Sequence, residues 1–222
     1  MENLLEIACF EITSAETALR SVADRIEFCA EQHLGGTTPN IDEFRYLNNI
    51  YKKPIYVMIR PKGGDFFYSD LDFLQMKKSI IEFKNAGADG FVFGILNHGN
   101  TIDVERNREL VELAGEIPCT FHRAFDRTPD LDVAINKLIE IGFKAVLTSG
   151  GAEKATKGKQ KLKELVEKYS DKIDILIGGG VRTDNIEELK TFTNGTHFHS
   201  SAIPAYESFA NEDEIKRMKK RL

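Results

Sequence analysis

Only three cysteines, Cys9, Cys29 and Cys119, occur in the 222 residues, and no two share a C-x-x-C spacing. An odd, scattered set excludes a disulfide framework and a cysteine-based structural zinc site. Glu2 and Glu6 stand where a secretory signal would carry basic residues, so a reducing cytoplasm is the expected location. No apolar run approaches the ~20 residues of a membrane-spanning helix, and no membrane partner is expected. Positive charge is also scarce: 30 Lys and Arg against 35 Asp and Glu leave a net charge of -5. That balance argues against a nucleic-acid surface, which needs clustered cations. The single basic run, Lys216-Arg217-Met218-Lys219-Lys220-Arg221, reads as the solvated last turns of a helix. The chain also lacks a G-x-G-x-x-G after its first strand, a nucleophile elbow, a P-loop and an H-E-x-x-H.

What is present is a regular alternation. Eight short apolar runs, at 4–10, 25–30, 55–60, 91–96, 119–125, 145–149, 173–177 and 197–203, read as strands. Several are rich in Val, Ile and Phe without polar alternation, the pattern of parallel strands covered on both faces. Helical patterns fall between them at 14–22 (with Ser14 as N-cap), 42–50, 70–86, 103–114, 130–141, 158–169 and 184–192, with a closing helix at 212–222. No linker or composition shift divides the chain. Eight consecutive βα units with right-handed crossovers predict an α/β fold, a single (β/α)8 TIM-like barrel over residues 1–222.

In such a barrel, function collects at the C-terminal ends of the strands. There the sequence places Gly35-Gly36, Arg60, Gly63-Gly64-Asp65 followed by three aromatics, His122-Arg123 with Asp126, Ser149, Gly178-Gly179-Gly180 and His199-Ser200-Ser201. Glu6 and Glu27 fall inside strands, where an ionised group needs a partner; Arg60, on the next strand, is the expected partner of Glu27. These charges either fix the barrel as internal ion pairs or line a polar pocket. The two Gly-Gly pairs are either turns or parts of a mobile cover. Glu27, Arg60, His122 and Asp126 are the candidate catalytic group, with His122 either a general acid/base or a hydrogen-bonded wall residue. Asp65, Arg123, Ser149, Gly179 and Ser200 are candidate ligand contacts. The loops after strands 7 and 8 occupy the places where many barrels hold phosphate, using backbone N–H groups and a short helix N-terminus.

Several longer stretches resemble one family. Leu5-Glu6-Ile7-Ala8-Cys9, Arg25-Ile26-Glu27-Phe28-Cys29, Gly35-Gly36-Thr37-Thr38-Pro39 and Met58-Ile59-Arg60-Pro61-Lys62-Gly63-Gly64-Asp65-Phe66 are similar to the CutC copper-homeostasis family. So are Thr120-Phe121-His122-Arg123-Ala124-Phe125-Asp126, Leu147-Thr148-Ser149-Gly150-Gly151 and His199-Ser200-Ser201-Ala202. The resemblance spans residues 4–203 and departs beyond Ala202, where the tail is short. It implies a cytoplasmic, homo-oligomeric TIM-like barrel associated with copper tolerance, with Cu(I) held through Cys9 and Cys29. It implies no defined reaction.

Strand geometry bears on that implication. Side chains alternate faces along a strand, so Cys29 shares the face of Glu27 whereas Cys9 takes the face opposite Glu6. If both glutamates point inward, Cys29 pairs better with Met58 than with Cys9; only a β-bulge in strand 1 would turn Cys9 inward. Two functions therefore stand open: a copper-binding homeostasis protein, or an enzyme acting on a small anionic metabolite such as a phosphorylated one.

Overall fold

The computed structural model describes residues 3–222, so Glu2 lies outside the described residues. In chain order the elements are β1 (Leu4–Cys9), α1 (Ile12–Arg20), β2 (Arg25–Phe28), α2 (Ile41–Ile50), β3 (Ile55–Met58) and α3 (Asp70–Asn85). Next come β4 (Gly90–Phe93), α4 (Val104–Ala114), β5 (Cys119–Phe121), α5 (Leu131–Ile141) and β6 (Ala145–Thr148). The chain ends with α6 (Lys159–Tyr169), β7 (Asp174–Ile177), α7 (Ile186–Thr193), β8 (His197–Ser200) and α8 (Glu212–Lys220). All neighbouring strands are parallel, and β8 returns to β1, closing the barrel. This is the expected TIM-like (β/α)8 fold.

The strands end earlier than the apolar runs that mark them. β2 stops at Phe28 and β5 at Phe121, so the polar residues beyond belong to loops at the mouth. The first helix also begins earlier than expected, because only Phe10 and Glu11 separate it from β1. Glu11, not Ser14, caps it, its carboxylate accepting from the N–H groups of Thr13 and Ser14. Ser14 is buried instead, and its hydroxyl accepts from the N–H of Ala210, tying the tail to α1.

Alternation along each strand sorts the core into two parts. Leu5, Ile7 and Cys9 of β1, Ile26 and Phe28 of β2, and Val57 of β3 join the large apolar layer between barrel and helices. Inside the barrel, Cys29, Met58 and Val92 form a separate small apolar cluster. A barrel interior is normally filled by Val, Ile and Leu. Here Glu6, Glu27, Arg60, Thr120 and His122 are buried, and all but Thr120 carry ionisable groups. No helix of the described residues is long and apolar enough to cross a membrane.

Candidate functional site

The floor of the site is set by register. Glu6 on β1 lies opposite Arg25 on β2 and opposite His199 on β8. Arg25 Nε donates to Glu6 Oε2 at 2.5 Å, and His199 Nδ1 lies 2.7 Å from Glu6 Oε1. Burial alone would raise the Glu6 pKa, but Arg25 and His199 outweigh it and hold the group down at about 2. Glu6 is therefore an anion at neutral pH and accepts from His199 Nδ1–H. The imidazole's Nε2 then faces Glu27 Oε2 at 3.8 Å, completing a Glu6–His199–Glu27 chain. Burial raises the Glu27 pKa, with His199 opposing it. Its Oε2 also accepts from the Cys29 thiol at 3.4 Å, while its Oε1 is buried without a partner.

Arg60 does not pair with Glu27. The β2–β3 register sets Glu27 against Tyr56, so Arg60 stands four residues further along the chain, beyond the end of β3 and toward the mouth. Its guanidinium is held by main-chain oxygens: Nη1 donates to Leu34 O and Gly36 O, both at 2.8 Å, and Nη2 to Gly64 O at 3.1 Å. Its side chain lies over the Phe66 ring at 4.9 Å, and Nε has no partner. The result is a buried cation among the described residues whose contacts include no carboxylate.

His122 follows β5. The N–H of Ala124 donates to its Nδ1 at 3.3 Å, so the neutral ring carries its proton on Nε2, which is buried and unpartnered. Burial, with the Arg60 charge added, lowers its pKa to about 3. Gly94, at the end of β4, makes room for the ring: a Cβ there would come within 2.8 Å of it. Phe66 packs on the other side, ring centroids 4.8 Å apart. The Gly63-Gly64 segment thus belongs to a cover that is pinned to both Arg60 and His122.

Glu27, Arg60, His122 and Asp126 all line one cavity of about 640 Å³ at the strand C-terminal mouth, together with Arg123 and His199. Arg127, Arg182, Gly179 and Gly180 also line it. Not every candidate offers a free atom. Asp126 accepts from Thr148 Oγ1 at 2.6 Å, Gly151 N at 3.0 Å and Arg123 Nε at 2.8 Å, and bonds Ser149 through both N and Oγ. Its oxygens are engaged by these donors, and through Nε it sets the position of Arg123. Ser149 lies outside the cavity lining and serves the same knot, bonded to Asp126, Arg123 and Ala152 O. Asp65 is exposed on the cover loop, where its carboxylate accepts only from the N–H of Phe67. The Ser200 hydroxyl is spent internally, donating to Val181 O and accepting from Ala202 N and Arg182 Nη1.

The loops after β7 and β8 differ from the expected phosphate cradle in one respect. Gly179 and Gly180 do line the mouth with φ of +97° and +76°. A Cβ on Gly179 would press within 3.3 Å of the Arg123 guanidinium, so glycine here lets that cation lie flat across the loop. No helix starts directly after β8, however. The next one, α8, opens at Glu212 with three acidic residues in its first turn. Arg182 bridges the two loops instead, bonding Ser200 Oγ and Ser201 Oγ at 2.8 Å each. Four arginines therefore surround the mouth. His199, Arg127 and Arg182 were absent from the expected set. For His199 a signal existed: closing the barrel sets strand 8 beside strand 1, and so His199 beside Glu6.

The CutC family model matches residues 3–204. The chain belongs to the CutC family. It is 40% identical over 199 residues to the copper homeostasis protein cutC homolog of Homo sapiens, covering 90% of this chain and 73% of that one. It is also 40% identical over 198 residues to a CutC family protein of Photorhabdus laumondii, covering 89% of this chain and 79% of that one. Among solved structures, CutC from Streptococcus agalactiae superposes with a TM-score of 0.85 at 30% identity, covering 90% of this chain and 98% of that one. Phosphoribosylanthranilate isomerase from Pyrococcus furiosus shares the fold alone, with a TM-score of 0.62 at 12% identity over 99% of this chain and 98% of that one.

The family's link to copper puts the cysteines to a test of fit. The N–H of Cys29 donates to Cys9 O at 2.8 Å, so the two backbones are neighbours. Their thiols belong to different packing layers: Cys9 joins the strand–helix layer and Cys29 the small cluster inside the barrel. β1 runs without a bulge through this register, so nothing turns Cys9 inward. Burial also raises both thiol pKa values, opposing the thiolate that binds metal. Glu6, Glu27 and His199 do bring donor atoms within 4.8 Å of one another. They are oxygen and nitrogen donors, whereas Cu(I) prefers sulfur. The residues present do not form a two-cysteine Cu(I) site.

Proposed function

We propose that this member of the CutC copper-homeostasis family binds a small anionic metabolite at the barrel mouth and acts on it as an enzyme. One observation carries the reading. Arg60 is 4% exposed, lines the cavity, and its guanidinium meets main-chain oxygens and the Phe66 ring but no carboxylate. Burying a cation without an anion is costly, and a ligand carboxylate or phosphate supplies the missing partner. Arg123, Arg127 and Arg182 around the same mouth add to the attraction. Titration with inorganic phosphate, followed by NMR, tests this. Saturable shifts are expected at Arg60, Arg123 and Gly179, weakening as salt rises. Unshifted resonances at all three would remove the reading.

A second reading, Cu(I) held through cysteine, has one observation in its favour: Cys29 packs with Met58 inside the barrel. A single thiol and a thioether make a weak Cu(I) site. The isolated protein is expected to bind Cu(I) weakly, to lose that binding in Cys29→Ser and to keep it in Cys9→Ser. Anaerobic competition titrations measure this. Tight binding that needs both cysteines equally would contradict the facing of β1. The three unpaired cysteines, all buried, suit a reducing cytoplasm.

A further inference from the structure

Among the described residues, three that line the cavity keep a buried polar atom without a protein partner: Glu27 Oε1, Arg60 Nε and His122 Nε2. Glu27 Oε1 accepts from nothing, and His122 Nε2–H donates to nothing. The hydroxyls of Ser149 and Ser200 are bonded within the protein, that of Ser201 accepts from Arg182, and the Cys29 thiol donates to Glu27. What remains is a carboxylate oxygen on β2, a neutral N–H donor after β5, and a fixed cation between them in chain order. Since β2 and β5 lie three strands apart in a closed ring of eight, the two groups approach the cavity from different walls.

Resting on the anion-binding reading above, we propose that the site catalyses proton abstraction next to a carbonyl group, on a small carbonyl compound that carries a carboxylate or phosphate. The anionic group is held by Arg60 and the mouth arginines. Glu27 Oε1 takes a proton from the carbon beside the carbonyl. The C–H electron pair becomes a C=C bond, and the carbonyl π pair moves onto oxygen. The enolate oxygen so formed accepts a hydrogen bond from His122 Nε2–H. Glu27 then returns its proton to the same carbon as the electron pair on oxygen re-forms the carbonyl, so the net result is proton exchange at that carbon and no oxidant or reductant is consumed.

A neutral imidazole suits this role better than an imidazolium, because a donor that keeps its own proton stabilises the enolate without trapping it as enol. A neutral histidine electrophile beside a glutamate base is the pair by which triosephosphate isomerase enolises its substrate. Here the tautomer is set by the Ala124 N–H on Nδ1. The Glu6–His199 pair acts through Glu27: His199 Nε2 lies 3.8 Å from Oε2 and keeps that oxygen on its own side, leaving Oε1 without a protein partner. Glu6 and His199 are positioning residues, not catalytic ones.

The test uses the intact protein in D2O with two probes, dihydroxyacetone phosphate and 2-oxoglutarate. Proton NMR follows protein-dependent loss of the C–H signal beside each carbonyl, while calorimetry measures binding of the same probes. Exchange is expected for at least one bound probe. It should fall roughly 100-fold or more in Glu27→Gln, and roughly 100-fold in His122→Phe, with binding kept within a few fold. Binding without exchange overturns this inference and leaves the anion site standing; no binding of either probe overturns both. Nitrogen-15 NMR of His122 gives a measurement independent of any variant's folding. A neutral ring protonated on Nε2 from pH 5 to 8 is expected, and an imidazolium at pH 6 would refute the proposed donor.

Discussion

Replacing Arg60 with Met should abolish measurable phosphate binding and lower the melting temperature by roughly 10 °C, two losses with one origin. Arg60 is the knot between two loops. Its side chain satisfies Leu34 O, Gly36 O and Gly64 O, and its main chain exchanges bonds with Thr38, N–H to Oγ1 at 2.8 Å and O from N–H at 2.9 Å. Met fills the stem but supplies no donor, so three partly buried carbonyls lose their partner. Each orphaned group costs about 1–3 kcal/mol before water relieves it, giving roughly 3 kcal/mol in all. For a chain of this length each kcal/mol shifts the melting point by roughly 2–4 °C. Loss of a buried charged partner weakens anion affinity on the order of 100-fold.

Arg60→Lys separates the two effects. An ammonium keeps the charge but cannot span three carbonyls from a planar fork. It should retain part of the affinity while losing most of the stability. Calorimetric phosphate titration and thermal unfolding of the two variants decide the matter. Wild-type affinity in Arg60→Met would show that the anion site does not depend on this cation.

The fold was legible because each βα unit announces itself in short apolar runs, and the interior was partly legible because charged residues inside strands are rare. Parity alone placed Cys29 inward and Cys9 outward. Pairing was harder. Glu27 lies on β2 and Arg60 just beyond the end of β3, so the β2–β3 register offsets them along the barrel, and sequence carries no direct statement of register. His199 is hard to read as a site residue because its partner Glu6 is 193 positions away and only closure unites them. Asp126 and Ser149 illustrate the opposite limit. Their types and places suit catalysis, yet their lone pairs and hydrogens are consumed by Thr148, Gly151, Arg123 and Ala152, which only coordinates reveal.

Acid should destabilise this protein through two residues whose contributions can be told apart. His122 is held neutral in the fold with its pKa near 3, against 6.5 when exposed. As pH falls below 6.5 the unfolded chain takes up a proton that the folded chain refuses, so stability drops until pH approaches 3. Glu6 is held ionised at about 2, against 4.5 when exposed. Its contribution is present above pH 4.5 and is lost as pH falls through the folded value, on the order of 3 kcal/mol in total. His199 and Glu27, whose folded pKa values are raised, act in the opposite sense: their contributions are present at low pH and lost as pH rises through those values. The wild-type curve is therefore a sum of opposing slopes, and variants are needed to resolve it. Between pH 7.5 and 4.5, wild type should lose about 3 kcal/mol more than His122→Phe, which has no imidazole to protonate when unfolded. Glu6→Gln should cost about 3–5 kcal/mol at pH 7.5, since it strips Arg25 and His199 of their shared anion. That deficit should shrink below pH 4.5, where the wild-type carboxylate is itself being protonated in the unfolded chain. Urea unfolding of the three proteins at pH 7.5, 4.5 and 3.5 supplies the comparison. Wild type and His122→Phe running parallel across that range would mean that His122 is not held neutral, and a pH-independent Glu6→Gln deficit would mean that Glu6 is not held as the anion.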